Sequence, residues 1–87
     1  MTTLLFTTEA EATKHGAAIG GDDGATLYNE NHADYRSESH AVSGLGECAS
    51  EAASVLNVPR EFYAAWISAY ETAARATILR LYRADND

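Results

Sequence analysis

The chain has one cysteine, one proline and one lysine among its 87 residues. With Cys48 alone no internal disulfide can form, so the fold must rest on packing, and an unpaired thiol suits a reducing, cytoplasmic setting. No cysteine pair offers zinc-ligand spacing, and His32, His40 and Cys48 are too widely separated for a short metal-binding loop. No run of about 18 apolar residues occurs, which argues against a membrane span. The opening segment MTTLLFTTEAEA lacks the basic start and long apolar stretch of a signal peptide. Signatures of catalysis are scarce as well. The stretch Ile19-Gly20-Gly21-Asp22-Asp23-Gly24 lacks the Lys-Ser/Thr end of a phosphate loop. It also lacks the alternating oxygen ligands and closing glutamate of a calcium loop. No G-x-S-x-G nucleophile motif occurs, and His15, His32 and His40 all stand in polar contexts. The expectation is a protein that is not an enzyme and carries no metal or cofactor.

Cations are the other shortage. Six Lys and Arg face 13 Asp and Glu, for a net charge of −7. Residues 1–58 hold nine acids against Lys14 and Arg36, whereas residues 59–87 are neutral, so the whole net charge sits in the first two-thirds. Such a field repels nucleic acid and anionic membranes and steers toward basic partners.

Hydrophobic residues make up 46% of the chain, which suits one globular domain over residues 1–87. Seventeen of them are alanine, so the large apolar residues are few and the core must be economical. Residues 2–7, TTLLFT, read as a short first strand. Thr8 can cap a helix over residues 9–19, with Glu9 and Glu11 where the helix dipole favours acids, although Gly16 weakens its middle. Gly20 to Gly24 read as a turn cluster and residues 25–29, ATLYN, as a second strand. Residues 30–43 read as a third strand or a polar loop, because Glu30, Asp34 and Glu38 would repel one another on a helix face. From Ser43 onward the pattern is helical. Leu45, Cys48 or Ala49, Ala52, Val55 and Leu56 keep a helical period over 44–56. Asn57-Val58-Pro59 breaks the chain, and Pro59 suits the first turn of a new helix. Phe62, Tyr63, Trp66, Ile67, Tyr70, Ala73, Ala74, Ile78 and Leu81 then sustain a helix to about Arg83. The expected fold is α+β, a small antiparallel sheet packed on a C-terminal helix pair. The long helix also carries Ala65, Ala69, Ala76, Leu79 and Tyr82 outside its main stripe, a second apolar face suited to a homodimer seam or a partner groove.

One stretch of about 20 residues resembles a known motif. Ala53, Leu56, Asn57 and Val58, followed by Tyr63 and Trp66, are similar to the core pattern of the helix-turn-helix DNA-binding family. The resemblance implies a transcriptional regulator whose base-facing positions are Pro59, Arg60, Glu61, Ala64, Ala65 and Ser68. Only Arg60 is basic among them, whereas DNA affinity normally draws on several Lys or Arg at phosphates.

The charge balance points instead to a protein-binding inhibitor, an acidic nucleic-acid mimic that occupies the basic groove of a host nucleic-acid-handling complex. Phage-encoded inhibitors of anti-CRISPR and anti-restriction type are similar to the chain in size and charge, without a shared motif. The residues expected to carry such a contact are the acids Asp22, Asp23, Glu30, Asp34 and Glu38, with Tyr28 and Tyr35 as aromatic anchors. The partner would be a host protein with a basic surface, with no direct contact to nucleic acid or membrane.

Overall fold

The computed structural model describes residues 6–86, and their regular structure is all helical, with no strand among them. Helix α1 spans Glu9–Asn31, α2 Glu38–Ala41, α3 Leu45–Val55 and α4 Tyr63–Asp85, with single 3-10 turns at His32–Asp34 and Arg60–Phe62. The sheet expected from the N-terminal half is therefore corrected. Residues 25–29 and the GGDDG cluster are the second half of α1, and residues 30–43 are its end, a 3-10 turn and α2. The strand expected at 2–7 lies mostly outside the described residues.

Helix α1 starts where its chemistry dictates. The Thr8 hydroxyl accepts the Glu11 N–H at 3.1 Å, and the Glu11 carboxylate accepts from the Thr7 hydroxyl at 2.9 Å and from Thr8 at 3.2 Å. This is a variant of the capping box, in which the Glu11 carboxylate takes the Thr7 N–H and two hydroxyls in place of the Thr8 N–H. These hydroxyls hold the Glu11 carboxyl below its ordinary value, the Thr7 bond first and the Thr8 bond second.

The course of α1 through its glycines has a tertiary cause. Ala12, Gly16, Gly20, Gly24 and Tyr28 are the buried residues of α1, and Trp66, Tyr70, Ala74 and Ile78 those of α4, each row spaced by four. Gly16 faces the Trp66 backbone, Gly20 that of Tyr70 and Gly24 that of Ala74. The two numberings advance together, so α1 and α4 run parallel and touch backbone to backbone. Rows at four-residue spacing interlock as ridges in grooves. Each glycine in a helix interior costs about 1 kcal/mol relative to alanine, and the close seam offsets that cost by letting the flat faces of Trp66 and Tyr70 pack inside.

An aromatic cluster closes the N-terminal end of the seam. Trp66 is fully buried and stacks on Tyr70 with ring centroids 5.4 Å apart. Its indole N–H donates to His15 Nδ1 at 2.9 Å, so the one polar atom of the ring is satisfied. Phe6 packs between His15 and Phe62, at centroid distances of 5.6 and 5.4 Å.

Because α1 and α4 are parallel, the chain must return between them, and α3 does this. Its first residues lie beside Glu71, Thr72 and Arg75, and its end leads into the start of α4. It buries Leu45, Ala49 and Ala53 and runs antiparallel to α4. Asn57 terminates it in the left-handed region at φ 57°, and the Val58 N–H bonds back to the Ala53 carbonyl at 3.0 Å. At the far end, Glu38 of α2 holds Arg83 of α4 at 2.6 Å, and the Tyr28 hydroxyl donates to the Asp85 carboxylate.

Two substitutions test the seam. Gly20→Ala should lower stability by about 1–3 kcal/mol, because the added methyl meets the Tyr70 backbone at less than 3.0 Å. Gly21→Ala, one residue along and with only the Thr77 hydroxyl 3.9 Å away, should raise stability by up to about 1 kcal/mol. Urea unfolding measures both, and equal effects of the two would contradict the backbone contact. Trp66→Ala should remove about 3–5 kcal/mol, which thermal unfolding would report as a large drop in midpoint.

Candidate functional site

The expected partner-binding residues do not form one surface. Asp22 is exposed, two residues from both Gly20 and Gly24, and so points away from the seam. Glu30 and Asp34 are exposed at and just beyond the end of α1. Glu38 is exposed and engaged by Arg83 through two bonds, Nε to Oε1 at 2.6 Å and Nη2 to Oε2 at 3.3 Å. The two tyrosines serve the interior. Tyr28 is 5% exposed, and Tyr35 is half-buried with its hydroxyl donating to the Leu27 carbonyl at 3.3 Å. Asp34 and Tyr35 line a hollow of about 700 Å³ with Arg36 and His40, and Asp23 alone among the seven lines the groove between α1 and α3.

That groove exists because α1 and α3 both pack on α4 and barely on each other. Ile19, Asp23, Thr26 and Leu27 of α1 form one wall. Cys48, Glu51, Ala52 and Val55 of α3, with Leu56, form the other, and Tyr70 of α4 lies at the floor. The volume is about 510 Å³, within the range of ligand and peptide sites. Val55 at its edge is 72% exposed, the one large apolar residue so exposed among the described residues. The lining is thus apolar along most of its length and carries a carboxylate on each wall.

The carboxylate on the α1 wall is fixed in place. The Tyr70 hydroxyl donates to Asp23 Oδ2 at 2.6 Å. Burial first, and this bond second, raise the Tyr70 phenol above its ordinary value, so it stays a neutral donor. Cys48 is half-buried in the same groove. Burial raises its thiol, and the Glu51, Asp23 and Glu47 carboxylates raise it further by disfavouring a thiolate among anions.

The second apolar face expected on α4 meets α1 in a hollow of about 540 Å³, where Ala65, Ala69 and Ala76 lie opposite Thr13 and Ala17. Of the positions implied by the helix-turn-helix resemblance, Arg60, Glu61, Ala64 and Ser68 are exposed, and Pro59 and Ala65 are half-buried. Among the described residues, no group of three or more His, Cys, Asp or Glu is placed to hold a metal ion, and no helix is long and apolar enough to cross a membrane.

Ile19, Leu27, Cys48, Glu51 and Val55 were not singled out from the sequence as site residues. Their signal is present but depends on reading residues 19–27 as one helix. Ile19, Asp23 and Leu27 then fall at four-residue spacing on one flank of the glycine row. Comparison with protein-family models, with curated proteins and with solved structures gives no match to this chain.

Cys48 reports on the electrostatics of the groove. Its alkylation by iodoacetamide should be slower at pH 8 than that of a free cysteine, with a rate that rises through a midpoint above the usual thiol value of about 8.5. Asp23→Asn combined with Glu51→Gln should shift that midpoint downward, because two of the anions that oppose the thiolate are gone. An unchanged pH profile in the double variant would contradict the assignment.

Proposed function

We propose that the chain is a non-enzymatic, acidic protein-binding module that inhibits a nucleic-acid-handling complex by occupying a basic surface of it, in the manner of anti-CRISPR or anti-restriction inhibitors. The observation that carries this reading is an apolar groove with a carboxylate on each wall, set in a molecule with 13 acids against six Lys and Arg. Among the described residues the single ion pair is Arg83–Glu38. Asp22, Glu30, Asp34 and Glu47 project into solvent without such a partner, so their field reaches outward.

Magnitude decides how the module would hold its partner. The molecule is a slender rod, 47 × 19 × 17 Å, similar in cross-section to a nucleic-acid duplex. Its net charge of −7 over 47 Å is about one charge per 7 Å, against about one per 1.7 Å of duplex DNA. A rod some fourfold more dilute in charge cannot displace nucleic acid by mimicry alone. Charge steers the encounter, and apolar contacts in the groove hold the complex. A reducing cytoplasm, where Cys48 remains a thiol, fits such a role.

Two measurements separate this reading from a helix-turn-helix regulator. In about 100 mM salt the protein should give no gel shift with duplex DNA at micromolar concentration, since Arg60 is the only cation on the face the motif would use. A specific footprint weakened by Arg60→Ala would establish the regulator instead. Against the protein retained by affinity capture from the host, neutralising Asp22, Glu30, Asp34 and Glu47 together should slow association and flatten its salt dependence, with little change in dissociation. If the neutralised variant associates as fast as the parent at every salt concentration, the acids act only in solubility and the proposal fails.

A further inference from the structure

We infer that the groove between α1 and α3 is the docking site for an amphipathic helix of a partner protein, one whose apolar stripe is bordered by lysine or arginine on both sides; the inference rests on the protein-binding reading above.

Three features select this occupant. The first is length. Ile19 and Leu27 are eight residues apart on one wall, about 12 Å at 1.5 Å per residue. Because α3 runs against α1, Val55 and Leu56 lie toward the Ile19 end and Cys48 toward the Leu27 end. Two turns of helix span about 11 Å, so the groove matches the i, i+4, i+7 anchors by which such helices dock. The second feature is the lining, aliphatic at both ends and open at the exposed Val55, which excludes a polar strand or a phosphate-bearing ligand.

The third feature is charge. Asp23 and Glu51 stand midway along opposite walls, with Glu47 beside them on the outer face of α3. An acidic or neutral helix would bury its apolar stripe between two carboxylates with nothing to compensate them. A helix with one cation on each flank pairs both. Asp23 lines the groove and is already oriented by the Tyr70 hydroxyl, so pairing it with a partner's cation costs less side-chain freedom on binding.

The test uses two synthetic peptides of about 14 residues, long enough to form a helix. They share one leucine stripe, and one carries lysine and the other glutamate at every polar position. The leucine–lysine peptide should bind the full chain and protect Cys48 from iodoacetamide, and the leucine–glutamate peptide should do neither. Val55→Asn, at a position exposed enough to leave the fold intact by circular dichroism, should weaken the lysine peptide about tenfold. Asp23→Asn with Glu51→Gln should weaken it to a similar degree and narrow the difference between the peptides. Equal binding of both peptides would overturn the requirement for cations. Binding that leaves Cys48 unprotected and ignores Val55→Asn, yet is lost on neutralising Asp22, Glu30, Asp34 and Glu47, would overturn the groove as the site while leaving the acidic-surface reading standing. Failure of the lysine peptide to bind would overturn the inference even where the captured partner still responds to the outer acids.

Discussion

The contact between the backbones of α1 and α4 governs this structure. Three glycines, Gly16, Gly20 and Gly24, remove the side chains that would hold the two helices apart along the middle of the seam. Neighbouring helices usually stand about 8–10 Å apart, filled by side chains. Here the rings of Trp66 and Tyr70 lie along the seam instead of across it, and both are at most 1% exposed. A chain with 17 alanines has little bulk with which to fill wide gaps. Close approach lets small residues make dispersion contacts that large ones make elsewhere. The helix pair is thus a solution to a composition poor in large side chains.

The groove follows from the same contact. Two parallel helices need a connection that travels back along their full length, and residues 32–62 provide it. The eleven residues of α3, less than half the length of α4, make the return's one long helical stretch, and residues 32–44 and 56–62 cover the rest. Helix α3 finds its apolar neighbours on α4, through Leu45, Ala49 and Ala53. It does not reach α1 closely, since that side of α4 is already taken up by the glycine seam. The space left between α1 and α3 is floored by Tyr70, whose ring faces the seam and whose hydroxyl faces the groove.

The C-terminal half was legible in the sequence because its determinants are local. The apolar period of 45–56, the left-handed Asn57 before Val58-Pro59, and the stripe from Phe62 to Leu81 all act within a few residues, and the helices form where they point. The N-terminal half was misread because its determinant lies about 50 residues away. Gly20-Gly21-Asp22-Asp23-Gly24 has the composition of a turn, and nothing within ten residues contradicts that reading. What makes it helical is the Trp66–Ala74 backbone on the other side of the seam. The one local trace is the spacing of Ala12, Gly16, Gly20, Gly24 and Tyr28 by four, matched by Trp66, Tyr70, Ala74 and Ile78. The misreading carried into the site. With residues 25–29 taken as a strand, Tyr28 and Tyr35 looked like exposed anchors, and Ile19 and Leu27 could not be placed on a common face with Asp23.

Asp23 joins fold and site in one residue. It is the one charged member of a wall otherwise made by Ile19, Thr26 and Leu27, and its Oδ2 accepts from the Tyr70 hydroxyl. Its place opposite Glu51 puts negative charge on both walls, where on the docking proposal a partner's apolar stripe would lie. On the docking proposal, charge of this kind adds to the affinity for a basic helix and also rejects wrong occupants, because a helix without cations would bury two unpaired anions. On that proposal the apolar walls would hold the partner and the two carboxylates would add selection to their share of the affinity, since the low linear charge density of the rod as a whole leaves the groove to make the lasting contact.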